Sequence, residues 1–160
     1  MNRNIVYLCR GYSYYQTKVM FDSGEYIIVD DDIESVLDAY LKCYGTSLSV
    51  SKRICNDVFN YTRILPVIVS VKHDKYFAVN GKLDDENIIL FDVDKVIDTK
   101  VNGNMISLVF RNSTLEMSCS RSTFNLQYQR IEEMRRYYDK SNKFTTLFMS
   151  KLEEGKIPNE

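Results

Sequence analysis

The 160-residue sequence contains no tryptophan, one histidine and only six glycines. With His73 as its single imidazole, it lacks the residue that acid–base and nucleophilic catalysis most often place beside a nucleophile. The setting Val71-Lys72-His73-Asp74-Lys75-Tyr76 reads as a solvated turn between strands. The glycines are scattered, so neither G-x-x-x-x-G-K-S/T nor G-x-G-x-x-G occurs, which disfavours nucleotide hydrolysis and dinucleotide chemistry. Cys9, Cys43, Cys55 and Cys119 form no C-x-x-C pair, whereas structural zinc needs closely spaced ligands; no metal and no cofactor are expected. Cys43 and Cys55 fall in predicted helices among apolar neighbours and are assigned to the core. No run reaches the ~18–20 apolar residues of a membrane-spanning helix, and residues 5–9 are too short for the apolar part of a secretion signal. The expectations are no membrane contact, a cytoplasmic location and no enzymatic activity. A hydrophobic share of 44% with 27% charged residues is that of a globular chain, about one domain in length.

What is present reads as an α+β fold with a mainly antiparallel β-sheet. Short β segments are predicted at residues 5–8, 12–21 and 25–29, broken by Gly11 and Asp22-Ser23-Gly24. A helix pair spans residues 31–61. Asp30, Asp31 and Asp32 supply an N-cap and an acidic first turn before Ile33, Val36, Leu37, Tyr40 and Leu41, whose spacing traces one helical face. Gly45 ends that helix; Ser47 or Ser49 caps the next, with Ile54, Cys55, Val58 and Phe59 as its buried stripe. Leu65-Pro66-Val67-Ile68-Val69-Ser70-Val71 reads as a strand buried on both faces, with residues 76–79 paired back onto it. Further strands are predicted at 88–93, 95–101, 105–110 and 114–118. Asn102-Gly103-Asn104 and Arg111-Asn112-Ser113 are the hairpin turns. A long C-terminal helix covers residues 121–139, starting at Ser120 or Ser122, with Phe124, Gln127, Tyr128, Ile131, Met134 and Tyr138 at helical spacing. Phe144, Leu147, Phe148 and Leu152 suggest a short final helix.

The formal net charge of −1 conceals a division along the chain. Residues 20–41 carry seven acids and no bases, a charge of −7; residues 42–63 sum to +3 and residues 121–156 again to +3. Clustered Lys and Arg are what a phosphate-binding face requires, but solvated helix faces carry such clusters more often, and charge alone does not decide the case.

The run Leu41-Lys42-Cys43-Tyr44-Gly45-Thr46-Ser47, the pair Lys52-Arg53, the aromatic Phe59-Asn60-Tyr61 and the Pro-led Leu65-Pro66-Val67-Ile68-Val69 follow one another in order. After them come Tyr76-Phe77, Val109-Phe110-Arg111-Asn112, Ser118, Phe124, Gln129 and Arg130. In order and spacing this series resembles the ComK family of bacterial competence transcription factors over about residues 25–138. The chain departs from that pattern at Val50-Ser51, Ala78-Val79 and Ile88-Ile89-Leu90, where the family has Gly-Arg, Pro-Thr and a tryptophan. The resemblance implies a ComK-like domain over residues 1–156, with 157–160 as a polar tail. It also implies a homo-oligomeric transcription regulator that binds A/T-rich double-stranded DNA largely through the minor groove, with a regulatory protease adaptor as a further partner. A narrow minor groove concentrates negative potential, so a few inserted cations suffice. The candidate DNA-binding residues are Lys52, Arg53 and Arg63 around the second helix and Arg121, Arg130, Arg135 and Arg136 on the long helix. The twelve tyrosines read as core and interface residues more than as base-stacking platforms. The second reading is a protein-interaction domain of the same fold without DNA binding, suggested by the missing Gly-Arg and the acidic stretch between Asp22 and Asp38.

Overall fold

A computed structural model describes residues 4–154; the polar tail lies outside them. The fold is α+β and antiparallel throughout. Six strands form one sheet: β1 (Ile5–Arg10), β2 (Thr17–Phe21), β3 (Tyr26–Val29), β4 (Val67–Ser70), β5 (Lys75–Val79) and β6 (Ile89–Asp92), in the order β3-β2-β1-β6-β5-β4. β7 (Asp98–Asn102), β8 (Met105–Val109) and β9 (Thr114–Ser118) form a second sheet, a division that the sequence did not indicate.

The helix pair is α1 (Ile33–Lys42) and α2 (Leu48–Asp57). Of three consecutive aspartates, Asp32 is the N-cap, accepting from the Ser35 N–H, and Ser47 caps α2 through the Val50 N–H. α2 stops at Asp57, short of the predicted residue 61. There Asn60 takes φ 57° and the Tyr61 N–H turns back to the Cys55 carbonyl. Cys43 corrects an expectation: it is the C-cap of α1 and exposed, while Cys55 is buried as read. Likewise residues 11–16 are a loop, closed by Gly11 N–H to Gln16 C=O at 2.8 Å, so β2 begins only at Thr17.

Strand alternation divides the core between the two faces of the large sheet. On β5, Phe77 and Val79 face one side and Tyr76 and Ala78 the other; on β6, Leu90 opposes Ile89 and Phe91. The first side packs against Ile33, Leu37 and Leu41 of α1 and Leu48 of α2. The second packs against Ile106, Leu108 and Met117 of the small sheet and Ile131 and Met134 of the last helix. Being covered on both sides explains why β4 and β5 read as continuous apolar runs.

That last helix, α3 (Arg121–Glu153), is a single element of 33 residues, where a helix to 139 and a separate short one were expected. No Gly or Pro interrupts it. The stretch between the two expected helices is helical too: the Thr145 and Thr146 hydroxyls donate to the Ser141 and Asn142 carbonyls one turn back, and Asp139 pairs with Lys143. Gln127, fully buried, fastens α3 to the large sheet by accepting from the Val79 N–H and donating to the Ile64 carbonyl.

Candidate nucleic-acid interface

The seven candidate cations separate into two groups according to what surrounds them. On α3, the buried Gln127, Ile131 and Met134 define the inward side. Arg130 and Arg135 sit beside these positions and reach sideways into the protein. Arg130 Nη1 donates to the Ile64 carbonyl at 2.9 Å and the Thr62 carbonyl at 3.3 Å, and its guanidinium lies 4.7 Å over the Tyr61 ring. Arg135 meets three carboxylates: Asp94 at 2.6 Å, Asp74 at 3.0 Å and Glu132 at 3.3 Å. Burial acts to lower its pKa, but these carboxylates outweigh that and raise it, so the charge is permanent and internally neutralised.

The other five, Lys52, Arg53, Arg63, Arg121 and Arg136, are exposed and form no ion pair among the described residues. Arg121 and Arg136 are fifteen positions apart, which on an α-helix is a separation of about 22 Å along the axis and about 60° around it. They share the outer side of α3. Lys52 and Arg53 project from α2 because Leu48, Ser51 and Cys55 occupy its buried side. Arg63 takes φ 69° at the bend between α2 and β4.

Lys52 and Arg63 line one cleft of about 300 Å³ with Lys82, which lies between β5 and β6, and with Glu34 and Asp84 on its rim. Arg136 lines a separate hollow of about 410 Å³ with Lys72, Asp74 and Asp139. Lys82 and Lys72 were not among the sequence candidates, since each sits in a turn where no periodicity marks an exposed face.

His73 is exposed in the β4–β5 turn, its Nδ1 2.8 Å from the Ser70 hydroxyl. Among the described residues no group of three His, Cys, Asp or Glu is placed to hold a metal ion. No helix among them is long and apolar enough to cross a membrane. Tyr128 and Tyr138 pack against the core as their spacing indicated, whereas Tyr12, Tyr14 and Tyr15 stand exposed on the β1–β2 loop.

A model of the ComK family, described as ComK protein, matches residues 4–143. The chain belongs to the ComK family. Membership brings a role like that of a competence transcription factor, in a family that is not enzymatic. The match extends the resemblance from residue 25 back through β2 and β1, so the whole six-stranded sheet falls within the ComK region. No curated protein and no solved structure matches the chain.

Proposed function

We propose that this ComK-family chain is a cytoplasmic, DNA-binding transcription regulator, acting as a homo-oligomer on A/T-rich duplexes largely through the minor groove. Residues 1–156 act as one domain with no catalytic role, and a regulatory protease adaptor is a further partner. The DNA contacts are Lys52, Arg53 and Arg63 at the α2 end of the molecule and Arg121 and Arg136 along α3, joined by Lys82 and Lys72. The observation that carries this reading is the separation of the cations: two arginines are engaged by internal partners while five stay exposed and form no ion pair among the described residues. Arg130 and Arg135 position the elements that bear the contacts. A separation of about 22 Å along α3 matches roughly six steps of a duplex at about 3.4 Å each.

Titrating the full chain into labelled A/T-rich and G/C-rich duplexes across a salt series tests the proposal. The expected result is binding several-fold tighter to the A/T-rich duplex that weakens steeply as salt rises. Absence of binding to both at low salt rejects it and assigns the fold to protein interaction instead.

A further inference from the structure

The two sheets leave four edge strands, β3 and β4 in the large sheet and β7 and β9 in the small one. Three of them are guarded. β4 lies against α2, whose Ser51 hydroxyl accepts from the Ile68 N–H at 2.9 Å. β7 carries Lys100 and β9 carries Glu116, charged residues of the kind that discourage addition of another strand. β3 is Tyr26-Ile27-Ile28-Val29, with no charge, no proline and no bulge, and Tyr26 and Ile27 are 51% and 44% exposed.

The register of the ladder decides which backbone groups are open. The Phe21 N–H donates to the Glu25 carbonyl at 2.9 Å, which makes Phe21–Glu25 a hydrogen-bonded pair. Alternation then gives Val19–Ile27 and Thr17–Val29 the same character. The N–H and C=O groups of Tyr26 and Ile28 therefore point away from β2, and no strand among the described residues pairs with them. Beside them is a hollow of about 150 Å³ lined by Arg10, Tyr12, Lys18, Tyr26 and Ile28. Its far wall is fixed: the Arg10 guanidinium donates to the Tyr14, Leu83 and Asp85 carbonyls and stacks 3.8 Å over the Tyr14 ring, holding the loop that presents Tyr12, 87% exposed.

Charge at the two ends of β3 selects the occupant. Glu25 precedes the strand and Asp30 and Asp31 follow it, all three exposed. With the outward groups on Tyr26 and Ile28, a second copy paired antiparallel about Ile28 would set Glu25 opposite Asp31, and one paired about Ile27 would set the same two acids diagonally across the seam; both arrangements repel. We propose that the open edge of β3 docks an extended segment of a partner protein, apolar at alternate positions and bearing Lys or Arg at both ends, as a seventh strand. Main-chain bonds to Tyr26 and Ile28 supply affinity, while the tyrosine-lined hollow and the terminal acids supply selectivity. The opposite edge, β4, is about 24 Å away at five strand spacings of ~4.8 Å. An occupant on β3 thus leaves Lys52 and Arg53 of α2 uncovered.

The test uses a labelled peptide, Lys-Val-Thr-Val-Thr-Val-Lys, its counterpart with Glu at both ends, and a third version N-methylated along its five central residues. In anisotropy titrations with the full chain at low salt, the first binds at least tenfold more tightly than the other two, and the Tyr26 and Ile28 amides gain protection from hydrogen exchange. Ile28→Pro removes one outward N–H without touching the ladder to β2; it lowers binding at least tenfold while the unfolding midpoint is retained. The methylated peptide reads the unaltered chain, so its comparison stands whether or not that variant folds. Equal binding of the three peptides, or protection gained elsewhere, overturns the proposal. So does self-association that Ile28→Pro abolishes, which would give the edge to a second copy.

Discussion

The Arg130 guanidinium lies 4.7 Å over the Tyr61 ring while the Tyr61 hydroxyl stands 3.2 Å from the Arg130 carbonyl, so each residue holds the other at both ends. The same hydroxyl donates to the Glu133 carboxylate at 2.5 Å, and burial followed by that carboxylate raises its pKa, keeping it protonated. Between Asn60 and Arg63, both at positive φ, the chain is bent into a conformation that Asn accepts readily and Arg does not. Arg130, bonded to the Thr62 and Ile64 carbonyls on either side of Arg63, holds that bend.

Arg130→Ala therefore acts first on stability. Losing charged hydrogen bonds to two carbonyls costs about 1.5–3 kcal/mol, measured by urea unfolding. Arg136→Ala, at an exposed site without an ion-pair partner, changes stability by less than ~0.5 kcal/mol and lowers affinity for A/T-rich DNA. Exchanged phenotypes would mean that Arg130 contacts DNA directly.

Lys52→Gln and Arg63→Gln should each flatten the dependence of log affinity on log salt by about 0.9 for every phosphate that the replaced cation neutralises. Arg135→Gln should leave that slope unchanged while lowering the unfolding midpoint, because its partners are Asp94, Asp74 and Glu132. A slope indifferent to Lys52 and Arg63 would remove their cleft from the DNA interface.

The thiols should divide by exposure. Cys43 is exposed and reacts with a thiol reagent in the native protein, whereas Cys55, its pKa pushed up to about 11 by burial, reacts only on unfolding. Rapid native modification of Cys55 would show that the α2–β4 junction opens.

Most strands and both helix caps were legible because each rests on local chemistry: Asp32 and Ser47 accept from N–H groups three residues on, and Gly103 at φ 61° turns the β7–β8 hairpin. The roles of Arg130 and Arg135 were legible in principle. Once Ile131 and Met134 are placed inward, their sequence neighbours at the border of that stripe must reach sideways, which a count of charges does not register. The partition into two sheets was not legible, since it depends on which strands meet across the core, and neither was the length of α3. The expected end near residue 139 is bridged instead, with no Gly or Pro to stop the helix and the Thr145 and Thr146 hydroxyls satisfied on the Ser141 and Asn142 carbonyls.

Acid should loosen the helix pair. Asp32, accepting from the Ser35 N–H, and Asp38, accepting from the Leu48 N–H, both have lowered pKa values from those bonds. Their contribution is complete above the ordinary carboxylate pKa and is lost as pH falls through the lowered folded values. An Asp32→Ala/Asp38→Ala variant is accordingly less stable than the parent at pH 7, and the difference narrows toward pH 2. A difference that does not change with pH would show that the two bonds leave the titration of these carboxylates unaffected.

Asp92 has the opposite sign. It is 3% exposed, and burial raises its pKa despite the Asp94 N–H bonded to its Oδ1 and Lys75 3.8 Å from its Oδ2. Lys75→Met leaves that carboxylate buried without its cation, which costs about 3–5 kcal/mol at pH 7. Lys75→Met/Asp92→Asn retains the amide oxygen for the Asp94 N–H and removes both charges, so it is more stable than Lys75→Met alone. Without Lys75 the Asp92 pKa rises further, and a group with a raised folded pKa contributes most below its unfolded pKa, losing that contribution as pH climbs through the folded one. The deficit of Lys75→Met relative to the parent therefore shrinks between pH 7 and pH 4, followed by urea unfolding at each pH. If it stays constant, Lys75 supports this end of the sheet through its ammonium on the Tyr40 and Phe77 rings, 5.4 and 6.0 Å from their centroids, and not through Asp92.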